Sequence, residues 1–316
     1  MSLSLVRPLF AAAIALWLAA AMPVSAEPLV SVEWLKQHRS DPSVVTLDVR
    51  SQIDGGGAVA YAEAHIPGAI HSEYDKAGWR VTRNGVPFML PTTAELEKLI
   101  GETGIDEDSH VIIVPAGVNA TDFGAAARIY WTLKVAGHPS VSILDGGFAA
   151  WQAAGYTVES GAVVPTPKIF TAHLDEHLLV ELAEVEHTEH ATLVDARPAS
   201  YFDGKEKAPA VQVYGHIPDA INVDSASFYD PVTNRLRPKD QLARIAARIP
   251  SGPVVTYCNT GHWAATDWFA LSAVLGRSNV RLYDGSMVEW AADPHRPIAS
   301  ARTRFDDLKK ALGLGS

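Results

Sequence analysis

The chain repeats itself, and this limits what it can fold into more than any other feature. Thr46-Leu47-Asp48-Val49-Arg50 is answered by Leu193-Val194-Asp195-Ala196-Arg197. His65-Ile66-Pro67-Gly68-Ala69-Ile70 is answered by His216-Ile217-Pro218-Asp219-Ala220-Ile221, and Asp145-Gly146-Gly147 with Trp151 by Asp284-Gly285-Ser286 with Trp290. The order is kept and the offset stays at about 140 to 150 residues, the signature of a duplicated domain. A length of 316 residues suits two domains of ordinary size. The copies are expected at 27–157 and 176–316, joined by a linker at 158–175 that carries Pro165 and Pro167.

Within each copy, short β-branched runs alternate with helical patterns. Residues 192–196 and 254–257 are apolar runs fit for buried strands, and 241–249 and 264–275 show helical spacing. Trp268, Leu271 and Val274 or Leu275 would share one helix face, with Gly276 as the stop. The expectation is an α/β chain of two tandem domains, each a mainly parallel sheet with helices on both faces. Ligands in such folds bind beyond the carboxyl ends of strands, where helices begin.

The first 26 residues form a separate object. Arg7 is followed by an uncharged run at 9–22 and by Val24-Ser25-Ala26, a small-x-small cleavage pattern. This predicts a secretory signal peptide, because 14 residues fall short of the ~20 that span a bilayer. The mature protein is then expected in the periplasm and off the membrane. A formal charge of −10 disfavours nucleic acid and anionic membranes as partners.

Features shared by both copies read as architecture. His65 and His216 are read as turn histidines bonded to backbone, and Asp48, Arg50, Asp195 and Arg197 as buried pairs that hold loops. The difference between the copies is more informative. Cys258, the single cysteine, follows the strand at 254–257 and leads into Asn259-Thr260-Gly261-His262-Trp263-Ala264. The first copy reads Pro115-Ala116-Gly117-Val118-Asn119 there, and Ala116 is taken as the counterpart of Cys258. One cysteine permits no internal disulfide. At a helix start, backbone N–H groups and the helix dipole favour the thiolate, and Gly261 lets several amides curl inward as an anion nest. The alternative is an inert packed thiol.

In these segments the chain resembles the rhodanese superfamily in its tandem-domain sulfurtransferase form. The resemblance rests on Asp195-Ala196-Arg197, on Gly215-His216-Ile217-Pro218-Asp219-Ala220, on the loop from Cys258 to Trp263, and on Tyr283-Asp284-Gly285 before Trp290. It implies a catalytically silent first domain, a site between the domains, and Cys258 as the sulfur carrier. Cys258 would take sulfur from a donor such as thiosulfate, with 3-mercaptopyruvate as another possible donor, and pass it to cyanide or a thiol. The amides from Asn259 to Ala264 would hold the negative charge. Asp195, Arg197 and Tyr201 would support the site, with no metal and no organic cofactor. A thiol or sulfur-carrier protein is a candidate partner beside the small molecules.

The chain departs from the family pattern in two places. The loop carries Asn259, Thr260 and His262 where basic or small residues are usual, and Tyr201 stands where a second arginine is expected. Lys205 and Lys207 are read as members of an exposed loop. His262 either assists the donor and leaving group or faces water, and Trp263 either walls the pocket or covers the sheet edge. A cysteine phosphatase would need an arginine six residues beyond the cysteine, and Ala264 stands there. The competing reading is a sulfur carrier or thiol-binding module without turnover.

Overall fold

The computed structural model describes residues 26–188 and 190–301. The expected signal peptide thus lies outside the described residues except for Ala26, as do the last fifteen positions of the second copy. Among the described residues, no helix is long and apolar enough to cross a membrane.

Each copy is built on a five-stranded parallel sheet. In the first, the strands run Leu29–Val30, Val141–Leu144, His110–Val114, Val44–Asp48, Ile70–His71 across the sheet. In the second the order is Leu179–Val180, Val280–Tyr283, Val254–Tyr257, Thr192–Asp195, Ile221–Asn222, the same path through the layers. The central strands are buried along nearly their whole length, which is why they read as continuous apolar runs. A small antiparallel hairpin follows the last edge strand of each copy, Val81–Arg83 with Val86–Met89 and Tyr229–Asp230 with Arg235–Leu236.

Register decides where the chemistry collects. Tyr257 pairs with Asp195, so Cys258 leaves its strand beside the Asp195-Ala196-Arg197 turn. In the first copy Asp48 pairs with Val114, so the residue opposite Cys258 is Pro115. The assignment of Ala116 to that place is corrected. It holds only when residues are counted back from the helices, because the first loop is one residue longer before its helix at Ala120–Val135.

The helix after Cys258 also departs from expectation. It begins at His262, two residues early, with Gly261 as N-cap at φ 71°. After Trp268 it widens into a π-helical stretch, Phe269–Val274, and Gly276 at φ 74° ends it as expected. This helix packs against Ala120–Val135, and the contact is a core shared by the two copies. Phe269 meets Tyr130 with ring centroids 4.8 Å apart and Phe123 at 5.7 Å, both edge to face. Such pairs add about 0.5–1.5 kcal/mol each beyond the area they bury. The helix at Ala120–Val135 is accordingly buried nearly all round, between its own sheet and the second copy.

The segment 158–175 lies along the first copy rather than hanging free. Lys168 N–H donates to the Gly101 carbonyl, His173 N–H to Ala136 and Asp175 N–H to Val135, and Phe170 is buried against His138.

Candidate functional site

The two repeated motifs read as architecture occupy structural positions. His65 Nδ1–H donates to the Tyr61 carbonyl at 2.9 Å, and His216 Nδ1–H to that of Phe202 at 2.7 Å. Both histidines also bridge by backbone to a returning segment, at Glu159 and Ala299. Arg50 grips Asp48 and the Ala64 carbonyl, and Arg197 grips Asp195 and the Gly215 carbonyl, with both ion pairs buried. Only the second of these pairs reaches the cysteine loop, where Arg197 Nη1 donates to Asn259 Oδ1 at 3.4 Å.

Cys258 is buried at the end of its strand. Its N–H donates to Ser286 Oγ at 3.1 Å, the Gly261 N–H donates to the same oxygen at 3.0 Å, and the hydroxyl donates onward to the Tyr283 carbonyl. The carbonyls of Cys258 and Asn259 accept from the N–H groups of Met287 and Val288, at the start of the helix Ser286–Trp290. Both carbonyls are therefore turned away from the loop interior. Among the described residues, the Asn259 and Thr260 amides donate to no protein acceptor. That leaves two N–H groups beside the thiol for an anion.

The first copy shows what such a loop holds when it lacks a thiol. The amides of Ala116, Gly117 and Val118 all donate to the Asp122 carboxylate, at 2.8, 2.6 and 3.1 Å. Burial pushes the Asp122 carboxyl up to about 6, while the three amides pull it back down. Asp122 is the third residue of its helix, and the third residue of the other helix is Ala264. A methyl group thus replaces the carboxylate, and the nest beside Cys258 is left to an outside anion. A cavity of about 320 Å³ lined by Arg50, Ala116 and Phe148 persists above the first loop.

His262 occupies neither of the two places expected for it. The ring is buried, Nδ1 accepts from the Tyr74 hydroxyl at 2.8 Å, and Nε2–H donates to the Thr121 carbonyl at 2.8 Å. Burial, with the charges of Arg80 and Arg128 nearby, lowers its pKa to about 3. The imidazole is therefore neutral at ordinary pH, with both nitrogens bonded to the first copy, so it neither faces water nor holds a proton for a leaving group. Gly124 makes room for it, since a Cβ there would lie 2.8 Å from Nε2.

Trp263 is half-buried, donates from Nε1 to Thr121 Oγ1 at 3.2 Å and meets the half-buried Tyr201 ring edge-on at 6.1 Å. Lys205 pairs with Asp203 and Lys207 donates to the Val211 carbonyl, so each lysine has a partner near it in sequence.

Several residues around the site carried no signal when read alone. Arg128, from the first copy, is fully buried and donates to Asp284 and to the Thr260 carbonyl. Asp284 also accepts from the Leu90 N–H, again across the copies. Asp284 lies in the repeated Asp-Gly motif, and its counterpart Asp145 likewise pairs across the copies, with Arg235 at 3.2 Å. The repeat of that aspartate was visible, but its partners were not.

The arrangement offers one thiol at a strand end, two loop amides without a protein acceptor among the described residues, buried arginines at Asn259 and Thr260, and a wall supplied by the other copy. A rhodanese-like domain model matches residues 31–154 and again 179–293. The 3-mercaptopyruvate sulfurtransferase of Escherichia coli is 32% identical over 280 residues, covering 85% of this chain and 96% of that protein. The thiosulfate sulfurtransferase of Rattus norvegicus is 32% identical over 296 residues, covering 87% and 96%. The crystal structure of a 3-mercaptopyruvate sulfotransferase from Escherichia coli superposes with a TM-score of 0.70, at 30% identity over 83% of this chain and 99% of that one. With the domain matched twice and the relatives matched over nearly their full length, the chain belongs to the rhodanese-like domain family.

Proposed function

We propose that this protein is a sulfurtransferase that carries sulfur as a persulfide on Cys258. The observation that carries this reading is that the Asn259 and Thr260 amides beside the single thiol have no protein acceptor among the described residues, whereas the amides of the first copy's loop donate to Asp122. The Cys258 thiolate attacks the outer sulfur of thiosulfate, a Cys–S bond forms, the S–S bond breaks and sulfite leaves with the electron pair. Cyanide or a thiolate then attacks the terminal sulfur and restores the Cys258 thiolate. The Asn259 and Thr260 amides hold the anionic sulfur, and Arg197 orients Asn259. The relatives' names supply two donor classes, thiosulfate and 3-mercaptopyruvate, and a thiol or sulfur-carrier protein is a fitting acceptor.

The test is a donor panel read by mass spectrometry of Cys258. Thiosulfate or 3-mercaptopyruvate should add the mass of one sulfur atom, and cyanide should remove it with continued turnover. A protein that loads sulfur but never turns over is a carrier and not an enzyme. Export is part of the proposal, and it rests on the sequence of residues 1–26. Sequencing of the mature protein should begin at Glu27, and a Met1 terminus on protein extracted only by detergent overturns it.

A further inference from the structure

We infer that Arg128, a residue of the copy without a thiol, is a positioning residue that sets the orientation of the cysteine loop. This rests on the proposed role of Cys258. Arg128 projects from the helix Ala120–Val135 across the boundary between the copies. One guanidinium nitrogen, Nη2, donates to Asp284. The other, Nη1, lies 3.4 Å from the Thr260 carbonyl oxygen. The guanidinium also lies over the Trp131 ring at 4.8 Å.

The consequence follows from the planarity of the peptide bond. The unit joining Thr260 to Gly261 is held at both ends, its carbonyl by Arg128 and its N–H by Ser286 Oγ at 3.0 Å. Since C=O and N–H point in opposite directions in a trans peptide, the two contacts fix one plane. That plane turns the Thr260 oxygen toward the first copy, and a flip would end both contacts. Gly261 completes the fit. A Cβ there would lie 2.1 Å from Arg128 Nη1, and its φ of 71° already disfavours a side chain.

Two further observations separate this from a bond that only joins the domains. The related pair Asp145–Arg235 is partly exposed, at 25% and 45%, whereas Asp284 and Arg128 are 3% and 0% exposed. Arg128 Nε, though buried, has no acceptor among the described residues, an unfavourable arrangement retained beside the loop. The first copy thus contributes to sulfur transfer through the loop's peptide planes while contributing no thiol.

The test compares wild type with Arg128→Lys, whose single ammonium group can pair with Asp284 but lacks the second nitrogen of the fork. Two readouts are needed, steady-state transfer from thiosulfate to cyanide and the iodoacetamide alkylation rate of Cys258 at pH 7. The expected result is a folded protein with kcat down at least tenfold, KM within about twofold, and alkylation slowed in parallel. A folded Arg128→Lys protein with wild-type kcat and alkylation overturns the inference. If Arg128→Lys does not fold, the neutral pair Arg128→Gln with Asp284→Asn leaves no unpaired buried charge, and the same losses are expected of it. Wild-type rates from that double variant overturn the inference equally. Failure of the wild type itself to load sulfur would sink the proposed function, whereas the alkylation comparison would still judge Arg128.

Discussion

Tyr74 and His262, 188 residues apart, share a hydrogen bond of 2.8 Å that joins the thiol-free copy to the first residue of the helix after Cys258. The other ring nitrogen donates to the Thr121 carbonyl, so the histidine has no spare nitrogen for chemistry. Its pKa, lowered from 6.5 to about 3, makes stability depend on pH. Between these values the unfolded chain binds a proton that the native protein does not. The stability is present above about 6.5 and is lost as pH falls toward 3. Thermal melts at pH 7, 5 and 4 should show a steeper loss in wild type than in His262→Asn, and parallel losses would refute the buried neutral ring.

His262→Ala should act mainly on stability. It leaves the Tyr74 hydroxyl and the Thr121 carbonyl without their shared partner, at about 1–3 kcal/mol for each group that stays buried. Urea unfolding measures this. The sulfur-loading rate of wild type should show no limb attributable to His262 between pH 5 and 9, and a limb that vanishes in the variant would contradict the assignment.

Asp122 titrates in the opposite sense. Its carboxyl is raised from 3.8 to about 6, so the native protein binds a proton there that the unfolded chain has lost. The associated stability is present below about 3.8 and lost as pH rises to about 6. Asp122→Asn does not titrate, so its stability relative to wild type should rise by on the order of 3 kcal/mol between pH 3.5 and 7. A difference that stays flat across that range would mean the carboxylate is not buried in the loop of the first copy.

Cys258→Ser should abolish sulfur loading while changing the melting temperature little, because the swap is small and Cys258 N–H keeps its bond to Ser286. Sulfur transfer retained by that variant would end the persulfide mechanism.

The second copy expressed alone, from residue 175 onward, should neither pack properly nor turn over. Phe269 would lose Phe123 and Tyr130, and the buried Asp284 would lose Arg128. Dye binding to exposed apolar surface should rise and transfer should vanish. A fragment that folds and works at the full rate would show that the first copy is dispensable.

Read alone, the sequence determined the duplication, the parallel α/β architecture and the place of the cysteine between a strand and a helix. These features are local. Apolar runs of strand length, Gly261 before a helix, and motifs in repeated order are written in neighbouring residues and need no partner to be recognised. It also marked Asp284, through its repeat at Asp145, without saying what it binds. Tertiary structure decided the rest. The strand register placed Pro115 rather than Ala116 opposite Cys258, since one extra loop residue cannot be assigned to either side before the hydrogen bonds are known. His262 looked like a loop residue because a polar Asn-Thr-Gly-His run suggests water, yet docking of two helices buried it. Arg128 meets Asp284 across 156 residues, and no periodicity within either copy encodes how one copy packs against the other. That packing angle arises from the summed fit of Phe123, Tyr130, Trp268 and Phe269, and it alone brings the arginine of one domain to the cysteine loop of the other.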